Sequence, residues 1–246
     1  MIRIIITLII AASVLAAGWV MSNTIMYVKT LDSSLLTVTG SATETINSDQ
    51  VKWPSNFTRQ VGADALRDGY AQMARDTEAV KAFFQSRGVT TDEVAFSPVL
   101  MTPLLENCGN PPRAGCTNSP VAYRLQQNTE INSKDVDKIT RVAQDVSPLI
   151  NQGVVFSSQR LEYYYGKLAA MRVQLLATAT KDAQTRAEQI AGSTGAHLGK
   201  LTTASSGVIQ VTPVNSTQIS DQGSYDTTTI QKQVTAVVRA SFTLTP

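Results

Sequence analysis

Apolar and polar residues alternate along this chain with two periods, and each change of period separates one predicted element from the next. In "SLLTVTG", Leu36 and Val38 alternate with threonines, a pattern that predicts a strand continuing with interruptions to Trp53. Beyond it, apolar residues recur at steps of three and four from Leu66 onward, which predicts a helix. Gly88 is placed to end that helix.

The central part of the chain continues with the same two periods. The segment "DEVAFSPVLMTPLL" predicts a strand that prolines interrupt, and "VAYRLQQNTEIN" predicts a second strand. A helix is predicted to start at Ser133, with a buried stripe that runs from Val136 to Leu149. The segment "GVVFSSQRLEYYYG", bounded by glycines, predicts a further strand.

The last third of the chain contains the longest predicted helix, over residues 167–191, followed by two strands. Its apolar stripe consists of Leu168, Met171, Leu175, Ala179, Ala183, Ala187 and Ile190. On its polar side, Asp182 and Arg186 are spaced for an ion pair. The strands lie in "KLTTASSGVIQVTPV" and "QKQVTAVVRASFTLT". This order of elements predicts an α+β fold, with helices packed on one face of a mainly antiparallel sheet.

The N-terminal segment is apolar enough to be considered as a membrane helix. Its most apolar part, Ile4 to Met21, would extend about 27 Å as a helix, close to the roughly 30 Å hydrocarbon core of a bilayer. Two interpretations are open: a signal peptide cleaved near "SVLAAG", and a signal anchor that is retained. We favour the retained anchor because this apolar core is long for a signal peptide.

Both interpretations place the remainder of the chain outside the cytoplasm, because Arg3 and the terminal amine should stay inside. We predict a transmembrane anchor in residues 1–30 and one extracytoplasmic domain in residues 31–246. The protein would then be a single-pass protein of the inner membrane, with most of the chain in the periplasm.

The composition argues against nucleic-acid binding. Charged residues make up 16% of the chain and its formal net charge is +2. Lysines and arginines are scattered and do not alternate with aromatic residues, so no basic surface is predicted.

Two cysteines, Cys108 and Cys116, flank a loop rich in proline and glycine. In an oxidising compartment we interpret this pair as a structural disulfide. A zinc site would need further ligands, and the chain has one histidine, far away in sequence. A redox pair would usually have the spacing Cys-x-x-Cys.

The stretch "GSTGAHLGKL" is rich in glycine, contains the single histidine, His197, and is a candidate phosphate-binding loop. Gly195 and Gly199 enclose three residues where a P-loop has four, and Leu201 stands at the hydroxyl position. The loop also follows a helix, whose C-terminal dipole repels phosphate. We therefore predict a helix exit with Gly192 and Gly195 at positive φ, and a surface or packing role for the histidine.

Carboxylate pairs are the remaining candidates for acid–base catalysis. The pairs are Glu44 with Asp49 and Asp135 with Asp137. Nothing in the local sequence raises the pKa of one carboxyl above that of its neighbour, which such catalysis requires. We predict no catalytic, metal-binding or cofactor-binding residue.

The segment "EYYYG" is more distinctive. In a strand, Tyr163 and Tyr165 would share one face. They are candidates for a contact with a ligand or with another subunit. The alternative is a packed strand whose tyrosine hydroxyls form hydrogen bonds, and both interpretations stay open.

Three segments together resemble the SIMPL-domain (DUF541) family of bacterial envelope proteins. They are "VTGSATETINSDQVKW", "ATKDAQTRAEQIAGSTGAHLGKL" and "VTAVVRASFTL", similar to the opening strand, the characteristic helix and the closing strand of that family. The resemblance spans about residues 33–246. The chain departs from a plain member in its long N-terminal apolar segment and in its cysteine loop.

The resemblance implies an α+β domain without established catalytic residues or cofactors. It also implies a tendency to form large homo-oligomeric rings, with roles in envelope or oxidative stress. The leading hypothesis is a non-enzymatic, membrane-anchored extracytoplasmic protein that assembles with itself into a ring or cage. Two alternatives are a binding module for a peptide, lipid or small molecule, with a groove near the tyrosine strand, and an uncharacterised hydrolase.

Overall fold

The structure is a computed structural model, and it describes residues 13, 15–24, 35–109, 116–117, 119–218 and 220–245. Residues 15–24 are helical, while the start of the predicted anchor lies outside the described residues. Within the part of the chain that is described, no helix is long and apolar enough to cross a bilayer. The anchor therefore stays a prediction.

Strands make up most of the described domain. They are β1 (Leu35–Asn47), β2 (Gln50–Gly62), β3 (Val94–Phe96), β4 (Leu100–Leu105), β5 (Pro120–Ser133), β6 (Val155–Ser158), β7 (Glu162–Tyr164), β8 (His197–Ser206), β9 (Gln210–Pro213) and β10 (Gln231–Thr245). The α-helices of the domain are α1 (Leu66–Ser86), α2 (Val136–Gln144), α3 (Ser147–Asn151) and α4 (Leu168–Ser193).

These strands form two antiparallel sheets. The four-stranded sheet has the order β1-β10-β8, with β9 also paired to β10. The six-stranded sheet has the order β3-β5-β2-β6, with β4 paired to β5 and β7 paired to β2. The α+β fold with antiparallel strands and helices is confirmed, but the expected single sheet is replaced by two.

The division into two sheets occurs within the segment predicted as one interrupted strand. β1 and β2 are separated by Ser48 and Asp49, yet they pair with different partners: β1 with β10, and β2 with β5. Alternation of apolar and polar residues continues through both strands, and it does not record which sheet a strand joins.

Large aromatic side chains fill the core between the six-stranded sheet and helices α1, α2 and α3. Trp53 lies with its ring centroid 5.8 Å from that of Phe84 and 6.1 Å from that of Phe156. Both pairs have the edge-to-face geometry that aromatic rings favour. Trp53 and Phe57 are fully buried.

Small residues form the corresponding contact between α4 and the four-stranded sheet. Ala179, Ala183 and Ala187 are fully buried on the face of α4 that meets β1 and β10. Gly40 of β1 lies so close to this helix that a Cβ atom would overlap the backbone of Ala179 and Ala183. Ile190, predicted in the stripe, is exposed, and Ala191 is buried instead.

The helix predicted from Ser133 to Leu149 is two helices. β5 extends through Ser133, and α2 begins after Asp135, whose side chain accepts a hydrogen bond from the Lys138 N–H. Pro148 lies in the first turn of the separate helix α3, where proline is tolerated. A continuous apolar stripe does not reveal the break because the apolar residues of both helices belong to the same core.

Candidate functional site

The glycine-rich stretch is a helix exit. α4 ends at Ser193, and Gly195 has a φ of 73°. Gly192 lies inside the helix, so the positive φ predicted for it was wrong. His197 is an exposed residue that opens β8, and its carbonyl accepts a hydrogen bond from Thr245. These residues provide a connection from helix to strand.

The cysteines close the end of the β4–β5 hairpin. Cys108 and Cys116 are joined as a disulfide with their Cα atoms 5.6 Å apart, as predicted. A carboxylate oxygen of Glu106 and the two sulfur atoms lie within 4.8 Å of one another, a distance compatible with metal ligation. Because the sulfurs are bonded to each other, neither is a thiolate, the form that binds zinc.

The structure places the two candidate tyrosines in different surroundings. Tyr163 is 8% exposed in the aromatic core, and its hydroxyl lies 3.2 Å from that of Thr140. β7 ends at Tyr164, so Tyr165 lies beyond the strand and packs against the core under α4. The expectation that both tyrosines share one face was therefore wrong. Whether either contacts a ligand or subunit stays a prediction.

The tyrosine between them lines an open groove. The hydroxyl of Tyr164 donates to Glu162, 2.6 Å away, and its ring stacks on that of Tyr225 with centroids 6.1 Å apart. The hydrogen bond to Glu162, with burial and the negative charge nearby, raises the pKa of Tyr164 to about 12. Tyr164 therefore stays neutral at physiological pH, and its hydroxyl remains a hydrogen-bond donor to the Glu162 carboxylate.

Two adjoining depressions lie where the two sheets meet. The first, which we name the tyrosine groove, has a volume of about 280 Å³ and is lined by Gln50, Val51, Lys52, Asn132, Ser133, Lys134 and Tyr164. The second, which we name the junction cleft, has a volume of about 630 Å³ and is lined by Asn47, Ser48, Lys134, Asp135, Val136, Asp137 and Ile230. Lys134 borders both, so the two form one continuous surface.

The loop before β10 fixes one wall of the cleft. Asp226 accepts hydrogen bonds from Thr228 and Thr229 and pairs with Lys232, which is fully buried. Burial alone would raise the pKa of Asp226, but these bonds hold it well below its usual range. Burial lowers the pKa of Lys232. The loop is also held by two backbone hydrogen bonds of 2.8 Å: its Thr227 carbonyl accepts from Tyr163 N–H of β7, and its Ile230 carbonyl accepts from Ser48 N–H in the turn between β1 and β2.

Glu93 holds the start of α2, whose first residues line the junction cleft. Its carboxylate accepts hydrogen bonds from Ser133 and Thr90 and lies 3.3 Å from Lys138 Nζ. Burial would raise the pKa of Glu93, but these bonds outweigh it and lower the pKa to about 2. Since Ser133 ends β5 and Lys138 belongs to α2, the carboxylate secures the start of α2 against the six-stranded sheet.

The sequence predicted only some of the residues that line this surface. Asp135 and Asp137, considered as an acid–base pair, do line the junction cleft, but Asp135 caps α2. In the other pair, the Asp49 carboxylate accepts a hydrogen bond from the Gly166 N–H at 2.7 Å, so it contributes to the local backbone structure. Ser48, Lys134 and Tyr164 were missed. They come from three separate segments, and no local spacing identifies them as neighbours.

Comparison with known families agrees with the segments that suggested a resemblance. The SIMPL family, described as "Protein of unknown function (DUF541)", matches residues 36–242, well over half of the chain. Among curated proteins, sequence comparison finds no match. The match begins in β1 and ends in β10, and so includes both sheets and the junction cleft. The chain belongs to the SIMPL (DUF541) family.

Proposed function

We propose that this protein is a non-enzymatic, extracytoplasmic SIMPL-domain protein, anchored in the inner membrane by residues 1–30, that assembles with itself into a ring or cage. A role in envelope or oxidative stress is part of the proposal. The disulfide supports the compartment, because such bonds persist outside the reducing cytoplasm.

The observation that carries the proposal is a group of exposed apolar side chains, on both faces of the β4–β5 hairpin, which we name the hairpin arm. Leu100, Met101, Leu105 and Val121 are each between 45% and 56% exposed. Apolar residues that are exposed singly are ordinary, whereas a group on one element is typical of an interaction surface.

The hairpin arm also has a free strand edge. Among the strands described, β4 pairs with β5 alone, so its other edge presents unpaired backbone groups. Pro103 lies on this strand, as expected of an edge. Contact between this edge and a different surface of the next copy would be head-to-tail, and head-to-tail contacts generate rings when the rotation closes.

The test is the native mass of the full chain in mild detergent. We expect a mass of many protomers for the wild type, and a shift toward the 26.5 kDa protomer when Leu100→Glu and Leu105→Glu are combined. Val173→Glu is the matched control, because Val173 is 71% exposed on α4, away from the hairpin arm. A wild type that is monomeric, or a control that dissociates equally, would contradict the proposal. N-terminal sequencing of the mature protein tests the anchor.

A second candidate function is ligand binding, and the tyrosine groove with the adjoining junction cleft favours it. Tyr164 is the tyrosine of the "EYYYG" segment that lines the groove. A small molecule that co-purifies with the wild type, detected by native mass spectrometry, should be lost on Tyr164→Ala. A ligand retained by that variant would exclude this groove as its site.

A further inference from the structure

The junction cleft contains a buried hydroxyl group without a partner. Ser48 is 6% exposed, and within the described part of the chain its Oγ forms no hydrogen bond. Ser55 provides a contrast, since it is equally buried but its hydroxyl bonds to that of Thr129. Burying a polar group without a partner costs free energy, so an unpaired one requires an explanation.

The same cleft receives the N-terminus of α2, which offers hydrogen-bond donors. The side chain of Asp135 accepts from the Lys138 N–H, the third residue of the helix. The N–H groups of Val136 and Asp137 belong to the first turn, where no intrahelical acceptor exists. Both residues line the cleft, so their N–H groups are available to a ligand there.

The charges around the cleft nearly cancel. Lys134 carries a positive charge, and the helix N-terminus adds about half of one. Asp135 and Asp137 carry two negative charges. An anion would be repelled by the two carboxylates, and a cation by the lysine and the helix. The electrostatics therefore favour a neutral ligand.

We propose that the junction cleft binds a neutral, polyhydroxylated saccharide. Each sugar hydroxyl donates and accepts, which suits a lining that mixes N–H donors, the Asn47 amide and a carboxylate. The Ser48 hydroxyl is covered in the unbound protein, and it reaches a ligand by rotation of its side chain to another staggered rotamer. The volume of about 630 Å³ lies within the usual range of ligand sites. The adjoining tyrosine groove, which Tyr164 lines, offers space and an aromatic side chain for a second sugar ring. This inference rests on the binding function and is independent of self-assembly.

The test measures binding of chitotetraose, maltotetraose and inorganic phosphate to the full chain in mild detergent by calorimetry. We expect at least one saccharide to bind and phosphate not to bind. Ser48→Ala should weaken saccharide binding about tenfold or more while leaving the melting temperature of the free protein equal or higher, because it removes an unpaired hydroxyl. Asp137→Asn, an exposed change, should also weaken binding.

The matched control is Ser55→Ala, which should lower the melting temperature and leave the saccharide Kd unchanged, because its hydroxyl is already paired within the protein. Binding of phosphate alone would support a binding function and overturn the saccharide. Absence of any binding, or Ser48→Ala binding with the wild-type Kd, would also overturn the proposal. Saccharide binding that persists in the dissociated hairpin-arm variant would leave this inference intact whatever the outcome for assembly.

Discussion

The two sheets bury their helices in opposite ways. Under the six-stranded sheet, Trp53, Phe57, Phe84 and Phe156 fill a wide layer between strands and helices. Over the four-stranded sheet, alanines of α4 bring the helix close to the strands, and Gly40 marks the closest approach. One contact depends on the volume of large side chains, and the other depends on having almost no side chain.

This difference shows that two contacts with equally buried residues can respond differently to substitution. A wide layer loses stability when a side chain is removed, because a cavity remains. A close contact loses stability when an atom is added, because the two backbones must separate. Substitutions of opposite kinds should therefore be the most damaging in the two sheets.

The largest effect is expected for Trp53→Ala. Trp53 is fully buried and its indole N–H donates to Ser158 Oγ at 3.0 Å, so truncation leaves a cavity and removes this hydrogen bond. The free energy of unfolding should fall by about 3–5 kcal/mol. Urea denaturation followed by circular dichroism measures it, with Trp53→Phe as the milder control. A loss as small as that of the control would show that this layer adapts to missing volume.

The next effect is expected for Gly40→Ala. The added methyl group overlaps backbone atoms of α4, which cannot rotate away as a side chain can. Unfolding free energy should fall by about 1–3 kcal/mol or more. Gly192→Ala is the matched control, since it adds the same atom within α4 where no atom lies within 4 Å. That control should stabilise the protein by about 0.5–1 kcal/mol. If Gly40→Ala had the same free energy of unfolding as the wild type, the proposed difference between the two sheets would be contradicted.

The smallest of these effects is a pH dependence that belongs to the six-stranded sheet. Because the folded pKa of Glu93 is about 2 and the ordinary value is 4.5, the charged carboxylate stabilises the fold fully above pH 4.5. That stability is lost as the pH falls from 4.5 toward 2. The full shift would correspond to about 3 kcal/mol, and solvent screening at this partly exposed site should reduce the effect to about 1–2 kcal/mol. Glu93→Gln should have a flatter profile of urea midpoint against pH in this range. Identical profiles for the wild type and Glu93→Gln would contradict the assignment of this pH dependence to Glu93.

Local patterns predicted most elements of the fold, because each depends on residues near in sequence. The strand pattern at Leu36, the helix from Leu66 and the Asp182–Arg186 ion pair, 2.9 Å long, all occur in the structure. The division into two sheets was not predicted. It depends on which distant strand pairs with β1 and which with β2, and alternation is the same in both cases.

The candidate site was harder to predict for a related reason. The disulfide could be expected from a single loop, whereas the junction cleft combines side chains that are far apart in sequence. The sequence pattern predicts a strand through Tyr165, whereas the strand ends one residue earlier, and Tyr164 lines the groove. The hydroxyl of Ser48, unpaired within the described part of the chain, depends on the positions of residues distant in sequence, which no local pattern contains.

The position of β10 sets the order in which this molecule can be completed as it is synthesised. The six-stranded sheet uses a continuous stretch of chain, from Gln50 to Tyr164, and is available early. The four-stranded sheet joins β1 to β8 only through β10, which follows all the other described strands in sequence. β1 must therefore wait for its partner until every other described strand has been made. Loss of β10 would leave β1 without its partner and would disconnect β1 from β8.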